Sequence, residues 1–167
     1  MHKPQNSPED EYGISELEYK VLSRPRFHIS YPVSDRFSFQ DRLEMAMYRL
    51  GDAPVEKGFM IMHDILYRPA SSPLSFTLRI AIYDTDSWES RIFSYEHDLL
   101  YAFQVPSYYG QCFRTYLNMR YKVNRYLDLW AKLGNSYYPN DTMIGSGLNQ
   151  IEGKNKTDLR IQIRLRF

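Results

Sequence analysis

The sequence predicts an all-β protein, an antiparallel up-and-down meander of about eight strands that forms either an outer-membrane-type β-barrel or a segment of one. Two observations favour strands. Apolar and polar residues alternate through Thr157–Phe167 and through several earlier segments, so an extended chain places its apolar side chains on one face. Aromatic residues make up 16% of the chain, a high share that suits strands whose rings lie in interfacial girdles.

The last segment, Thr157–Phe167, is the main reason to expect an outer-membrane protein. Its polar face consists of Arg160, Gln162, Arg164 and Arg166. In a soluble sheet the apolar face would meet a core and the arginine face water, whereas in an outer-membrane barrel the apolar face meets lipid and the arginine face a polar lumen. An apolar strand that ends the chain on Phe167 is similar to the closing strand of bacterial outer-membrane barrels. This similarity implies that Phe167 is a signal for the barrel-assembly machinery.

A length of 167 residues suits one domain. We expect residues 1–22 to be a polar, acidic lead, either disordered or the remains of a preceding strand and loop, and residues 23–167 to form the β domain.

No apolar run reaches the ~20 residues that a membrane helix needs, and Met1–Glu18 lacks the apolar stretch of a signal peptide. We therefore expect either a cytoplasmic protein or the C-terminal part of a larger one, with Met1 an internal start.

Two strands precede the first glycine turn. Arg26–Val33 alternates between apolar and polar residues, and Pro32 places this strand at an edge of the sheet or near its own end. Phe37–Leu50 alternates as well, although three of its apolar residues also recur at helical spacing. The neighbouring strands favour a strand here too.

Three strands are predicted in the middle of the chain. Gly58–Arg68 and Leu74–Tyr83 are joined by a proline-bounded loop, and the second of them turns Arg79 inward. Arg91–Val105 is predicted to be one long strand, in which the polar triplet Glu96–Asp98 forms a bulge or splits the strand into a hairpin.

Two more strands precede the final one. Cys112–Val123 and Tyr126–Tyr137 are joined by the very short connection Asn124–Arg125 and must therefore pair antiparallel. The longest connection, Pro139–Lys156, then leads to the last strand. If the C-terminus is periplasmic, the long connection is extracellular and the short one periplasmic, as is usual in outer-membrane barrels.

The amino-acid sequences of four segments resemble those of a known family. The segments are Arg79–Phe103, Tyr116–Lys122, Leu127–Trp130 and Ile144–Gly153. From residue 24 to its end, the chain resembles the C-terminal barrel region of bacteroidete outer-membrane proteins that carry helix-hairpin-helix repeats further upstream. The resemblance implies a barrel segment in the outer membrane and no particular reaction. The repeats are absent here, so a DNA-binding role does not transfer, and upstream domains of the same polypeptide are expected.

Polar side chains on the inner face are predicted to line the lumen. Their cations suit an anion-selective pore, or nucleic-acid binding in a soluble sheet. We favour instead a lumen closed by salt bridges to acids such as Glu44, Asp64 and Asp128, because a barrel of ~8 strands has an interior just wide enough for side chains. The lumen-facing candidates are Arg79, Arg114, Asn118, Arg120, Lys122, Arg160, Gln162, Arg164 and Arg166.

Reactive residues give weaker signals. Asp84, Asp86 and Glu89 are weak candidates for Ca²⁺ ligands, but their spacing is not that of an EF-hand loop, and a solvated turn is favoured. The pairs His63–Asp64 and His97–Asp98 invite an acid–base interpretation, yet neighbouring residues of a strand point to opposite faces. The sequence therefore predicts no catalysis, no cofactor and no metal.

Two functions remain. In the first, the chain is a non-catalytic outer-membrane barrel acting as pore, anchor or scaffold, with the lipid bilayer and the assembly machinery as partners and no nucleic acid. In the second, it is a soluble antiparallel barrel or sandwich in the cytoplasm that binds an apolar ligand or a partner. The first predicts exposed apolar side chains and inward arginines, and the second predicts the reverse. The residues that discriminate are Leu117, Leu129, Ile161, Ile163, Arg120 and Arg164.

Overall fold

The computed structural model describes residues 2–6, 17–145 and 147–167. These residues are almost entirely β-structure, apart from loops and one 3₁₀ turn at Gly147–Asn149. Within them, no helix is long and apolar enough to cross a membrane. The strands are β1 (His2–Asn6), β2 (Leu17–Ser23), β3 (Arg26–Pro32), β4 (Phe37–Leu50), β5 (Glu56–Tyr67), β6 (Leu74–Thr85), β7 (Ile92–Phe93), β8 (Ser107–Tyr108), β9 (Cys112–Lys122), β10 (Leu127–Tyr137), β11 (Met143–Ile144), β12 (Ile151–Glu152) and β13 (Asn155–Leu165).

The main sheet is an antiparallel meander in the order β1-β2-β4-β5-β6-β9-β10-β13. Strand β4 is long enough to pair with β2 near its end and with β3 along its first part, so β2 and β3 together act as one interrupted strand. This confirms the predicted all-β meander. Within the described residues no pairing joins β13 to β1 or β3, and the sheet therefore has two open edges.

The two faces of the sheet differ in polarity and in burial. Ile161 and Ile163 lie on the apolar face and are 67% and 63% exposed. On the opposite, polar face, Asp64, Arg79 and Lys132 are at most 2% exposed. The usual arrangement of a soluble sheet, with apolar groups buried and charges in water, is therefore reversed.

The six discriminating residues divide between these two faces, and four of them, Leu117, Leu129, Arg120 and Arg164, are intermediate in burial. Leu117 and Leu129 lie on the apolar face with Ile161 and Ile163, and both are half-buried by their neighbours in the sheet. Arg120 and Arg164 lie on the polar face, where both contact Asp128.

Connections alternate between the two ends of the sheet, which we call the short-turn end and the long-loop end. The turn between β9 and β10 is held by Asn124, whose Oδ1 accepts hydrogen bonds from the backbone N of Tyr126 and Leu127 at 2.8 and 2.9 Å. The predicted short antiparallel connection is confirmed. The connections are 33–36, 68–73 and 123–126 at the short-turn end, and 51–55, 86–111 and 138–154 at the long-loop end.

The prediction of one long strand over Arg91–Val105 is wrong, and the alternative of a hairpin is closer to the structure. Ile92–Phe93 pairs antiparallel with Ser107–Tyr108, and Glu96 and Gln104 form one isolated bridge between these arms. Strand β6 pairs directly with β9, so the sheet leaves no position for this segment. The segment lies instead over the polar face, where its acids contact cations.

The polar lead is not simply disordered. His2–Asn6 and Leu17–Ser23 are strands, so the alternative of a preceding strand applies to these residues. The rest of the predicted lead, residue 1 and residues 7–16, lies outside the described residues. Phe37–Leu50 is a strand rather than a helix.

Candidate functional site

The central feature is residues 86–111, which we call the covering segment because they lie over the polar face. Gly58 on β5 permits this approach: a Cβ there would lie 2.4 Å from the backbone oxygen of Ser90. Further along, Ser94 Oγ accepts a hydrogen bond from Arg42 Nη1 at 2.9 Å. The backbone oxygen of Asp98 accepts one from the side chain of Asn118 at 2.9 Å. The segment thus contacts β4, β5 and β9.

Glu96 is the main attachment point of the covering segment. It is 4% exposed, its carboxylate lies 3.0 Å from Lys132 Nζ and 3.1 Å from Arg114 Nε, and it accepts a hydrogen bond from the Tyr108 hydroxyl at 2.8 Å. Burial alone would raise the pKa of Glu96. The hydrogen bonds and charge of Arg114, with smaller contributions from Lys132 and Tyr108, lower it instead to about 2.

Asp98 is the second attachment point. Its buried carboxylate lies 2.8 Å from Arg160 Nη1 and 3.5 Å from Lys132 Nζ. Between the two acids, the backbone N of His97 donates to the Tyr116 hydroxyl at 3.0 Å. Burial lowers the pKa of His97 below its ordinary value, although the charge of Asp64 acts in the opposite direction.

A buried ion pair connects β5 and β6 beneath the covering segment. Arg79 and Asp64 are cross-strand partners and form two hydrogen bonds of 2.6 Å. Arg79 Nη1 also donates to the backbone oxygen of Tyr95 at 2.5 Å, and its guanidinium lies 5.4 Å from the centre of the Tyr116 ring. The pair is therefore part of the surface on which the segment rests.

Apolar contacts complete the attachment near the long-loop end. Ile92 and Tyr108 of the covering segment pack against side chains of the polar face, and the Tyr108 ring centre lies 5.0 Å from that of Tyr83. Cys112, which is 2% exposed, belongs to the same cluster. The full cluster is Ala46, Met60, Met62, Ala81, Tyr83, Ile92, Tyr108 and Cys112.

The predicted lumen candidates lie on one face, and most of them are paired. Arg79 contacts Asp64, Arg114 contacts Glu96 and Asp158, and Arg160 contacts Asp98. Asp128 forms ion pairs with the three remaining arginines among the predicted lumen candidates, Arg120, Arg164 and Arg166.

The salt bridges that the sequence predicts for Asp64 and Asp128 are present among these contacts. Glu44 is paired as well, with Arg26 at 2.8 Å. Lys122 is exposed, and Gln162 is half-buried with its Oε1 unpaired among the described residues.

The predicted Ca²⁺ ligands do not lie together. Asp84 accepts from Gln111, Asp86 from the backbone N of Lys57, and Glu89 lies 3.4 Å from Lys20 Nζ. In the part of the chain that the structure describes, no group of three or more potential ligands could hold a metal ion.

In the predicted pairs His63–Asp64 and His97–Asp98, the two side chains have different partners. His63 Nδ1 lies 2.7 Å from Asp41 on the apolar face, whereas Asp64 is buried on the polar face. His97 contacts Tyr116 and Asp98 contacts cations, so the two side chains do not act on one another.

Sequence reasoning missed the pairing of Glu96 with Lys132. Lys132 is 1% exposed, and its Nζ lies within salt-bridge distance of both Glu96 and Asp98. The available signal was the triplet Glu96–Asp98, since three consecutive polar residues do not fit a strand with one apolar face.

We expect attachment of the covering segment to weaken in acid. The pKa of Glu96 is lowered from its ordinary value of 4.5 to about 2, so its contribution is complete above pH 4.5 and is lost as the pH falls to about 2. A shift of this size is worth on the order of 3 kcal/mol. Reaction of Cys112 with a pyridyl disulfide, which modifies thiols in acid, should accelerate across this window. Glu96→Gln should remove that acceleration, and a wild-type rate that stays flat from pH 6 to 2.5 would contradict the assignment.

No protein-family model, curated protein or solved structure matches this chain. The resemblance to bacteroidete outer-membrane proteins accordingly stays a prediction.

Proposed function

We propose that this chain forms the wall of a bacterial outer-membrane β-barrel, with its apolar face toward lipid and its polar face toward the interior. The observation that carries the proposal is the reversed polarity of the sheet. Leu133 and Ile61 are 50% and 55% exposed in the middle of their strands, whereas Asp64 and Lys132 are buried on the other face. Large exposed apolar surfaces mark contact with a membrane or another protein.

The placement of aromatic residues on the apolar face supports the proposal. At the short-turn end, the Tyr67 ring lies between Phe37 and Phe76, with ring centres 4.9 and 5.1 Å apart. At the long-loop end, Phe59 and Phe113 are each 40% exposed. Along β5 the separation from Phe59 to Tyr67 is about 26 Å at ~3.3 Å per residue, or about 20 Å along the membrane normal at a tilt of ~40°. Barrels place aromatic girdles at the edges of an apolar band about 25 Å tall.

An anchor or scaffold fits this interior better than an open pore. The covering segment lies across the polar face, and its Glu96 and Asp98 contact Arg114, Lys132 and Arg160 from three neighbouring strands. A pore needs a continuous aqueous path, and a segment held by buried ion pairs obstructs one.

A carboxylate and a histidine lie in contact on the apolar face and yield a prediction. His63 and Asp41 form a cross-strand contact of 2.7 Å, and the Tyr31 hydroxyl donates to Asp41 at 3.2 Å. In lipid a charged group on this face is costly, so Asp41→Leu combined with His63→Leu should stabilise the protein in bilayers by about 1–2 kcal/mol. Urea unfolding in phospholipid vesicles measures this change.

The matched control for that pair is Asp52→Leu with Lys57→Leu, which removes one acid and one cation near the long-loop end of the sheet. The control should change the free energy of unfolding by less than about 0.5 kcal/mol. A loss of stability in the Asp41 and His63 double variant would contradict a lipid environment for this part of the face.

Solubility and gel migration test the proposed function directly. The purified chain should remain dispersed only in detergent or lipid, and it should migrate differently on a denaturing gel before and after heating. A monodisperse protein in plain buffer would contradict the membrane assignment and favour the soluble alternative.

A further inference from the structure

Positive charge exceeds negative charge on the polar face at the short-turn end. Asp128 is 1% exposed, and its carboxylate lies 3.1, 2.5 and 2.8 Å from the guanidinium groups of Arg120, Arg164 and Arg166. Within the described residues, no other carboxylate lies at salt-bridge distance from these three arginines. One negative charge therefore faces three positive charges.

A cleft of about 310 Å³ opens beside this cluster. Arg68, Arg120 and Lys122 line it, and no acid contributes to its lining in the described part of the chain. Neither Arg68 nor Lys122 has a carboxylate of the described residues within 4.0 Å. The remaining lining residues are Pro69, Ser72, Pro73 and Ser75.

Two of the residues that line the cleft have free hydrogen-bond donors. Arg120 Nε is buried and has no hydrogen-bond partner among the described residues, although buried donors in proteins are nearly always satisfied. Ser72 Oγ already accepts a hydrogen bond from the backbone N of Leu74 at 3.2 Å, so its own hydrogen remains available for donation. An acceptor with several oxygens and a negative charge complements this set.

We propose that the cleft lined by Arg68, Arg120 and Lys122 binds an oxyanion of the phosphate type. Guanidinium groups recognise phosphate through paired donors, and an ammonium group adds a point charge. The phosphate belongs either to a small soluble molecule or to a lipid headgroup at the membrane edge, and the chemistry of recognition is the same in both cases. The site is independent of the membrane proposal, because it depends only on side chains of the polar face.

Trp130 provides an intrinsic reporter of binding. Its ring lies between Arg120 and Arg164, whose guanidinium carbons are 5.2 and 5.1 Å from the ring centre. An anion that draws Arg120 toward the cleft will change the fluorescence of this ring. The chain has two tryptophans, so Trp88→Phe leaves Trp130 as the only tryptophan.

The experiment titrates the Trp88→Phe protein with sodium pyrophosphate in an uncharged detergent, or in buffer if the chain needs no detergent. Sodium chloride at matched ionic strength is the reference titration. We expect a saturable change in Trp130 fluorescence with pyrophosphate and none with chloride. A linear response, or the same response to both salts, would exclude a soluble ligand, and the lipid titration described below would then decide the proposal.

Paired variants localise the site. Arg68→Gln with Lys122→Gln should weaken pyrophosphate binding at least tenfold. Arg49→Gln with Lys57→Gln removes the same two charge types from exposed positions toward the long-loop end and should leave binding unchanged. An equal effect of both pairs would overturn the proposal. The emission spectrum without ligand verifies the fold of each variant, and the single changes Arg68→Gln and Lys122→Gln should each give an intermediate loss.

A second arm identifies the source of the phosphate. Detergent micelles containing phosphatidylglycerol replace pyrophosphate as the titrant. Saturation with pyrophosphate indicates a soluble ligand, and saturation only with the lipid indicates a headgroup. In either case, the double variant Arg68→Gln with Lys122→Gln must lose the response. Saturation with neither titrant would overturn the proposal.

Discussion

Asp64→Asn should destabilise the protein by about 3–5 kcal/mol, because it leaves the buried Arg79 guanidinium without a counter-charge. Both residues are 2% exposed, and their side chains are joined by two hydrogen bonds of 2.6 Å. The contacts that remain to Arg79 are the Tyr95 backbone oxygen and the face of the Tyr116 ring. Neither replaces a carboxylate. The free energy of unfolding in urea measures the loss.

Two further variants separate the ion pair from a general effect of the substitution. Asp52→Asn changes an exposed acid in the connection between β4 and β5 and should cost less than about 0.5 kcal/mol. Asp64→Leu with Arg79→Met replaces the pair by apolar groups and should recover at least half of the loss. If this double variant is as unstable as Asp64→Asn, the unpaired charge is not the cause.

Glu96→Gln should release the covering segment and expose Cys112. The substitution leaves Lys132, which is 1% exposed, with Asp98 at 3.5 Å as its remaining acid. We expect a cost of about 2–3 kcal/mol, which raises the population of the released state by roughly 30- to 150-fold. Because Cys112 is the only cysteine and packs in the same cluster as Ile92 and Tyr108, the rate of its alkylation reports the release.

The matched control is Glu89→Gln, the same substitution at a half-buried position of the same segment. Glu89 contacts Lys20 at 3.4 Å and Arg91 at 3.9 Å, and surface pairs of this kind contribute about 0–1 kcal/mol. Alkylation of Cys112 should change less than about fivefold in the control. Equal rates in wild type and Glu96→Gln would show that Glu96 does not hold the segment.

The sequence predicts the sheet well because its strands have a local signature. The alternation in Cys112–Val123 and Thr157–Phe167 reports which side chains share a face, and the strands observed there, Cys112–Lys122 and Asn155–Leu165, keep that division. The direction of burial is not local. The same alternation fits a soluble sheet, and only the position of the covering segment decides which face is enclosed.

The candidate site could be predicted only in part, because its partners are distant in sequence. Glu96 contacts Lys132 across 36 residues and Asp98 contacts Arg160 across 62 residues, so no spacing rule connects them. The apolar residues Phe93 and Phe103 made Arg91–Val105 resemble a strand. The charges between them, whose partners lie on β9, β10 and β13, determine the observed path instead.

Whether the apolar face meets lipid can be tested by measuring the environment of two adjacent residues of β13. Ile161 is 67% exposed on the apolar face, and Gln162 is half-buried on the polar face. In a Cys112→Ser background, Ile161→Cys and Gln162→Cys each receive one nitroxide label, and the protein is folded into phospholipid vesicles. Electron paramagnetic resonance then measures collisions with oxygen, which concentrates in lipid, and with a water-soluble nickel complex. We predict that the label at position 161 collides mainly with oxygen and that the label at position 162 does not. A label at position 161 that collides mainly with the nickel complex would contradict the account.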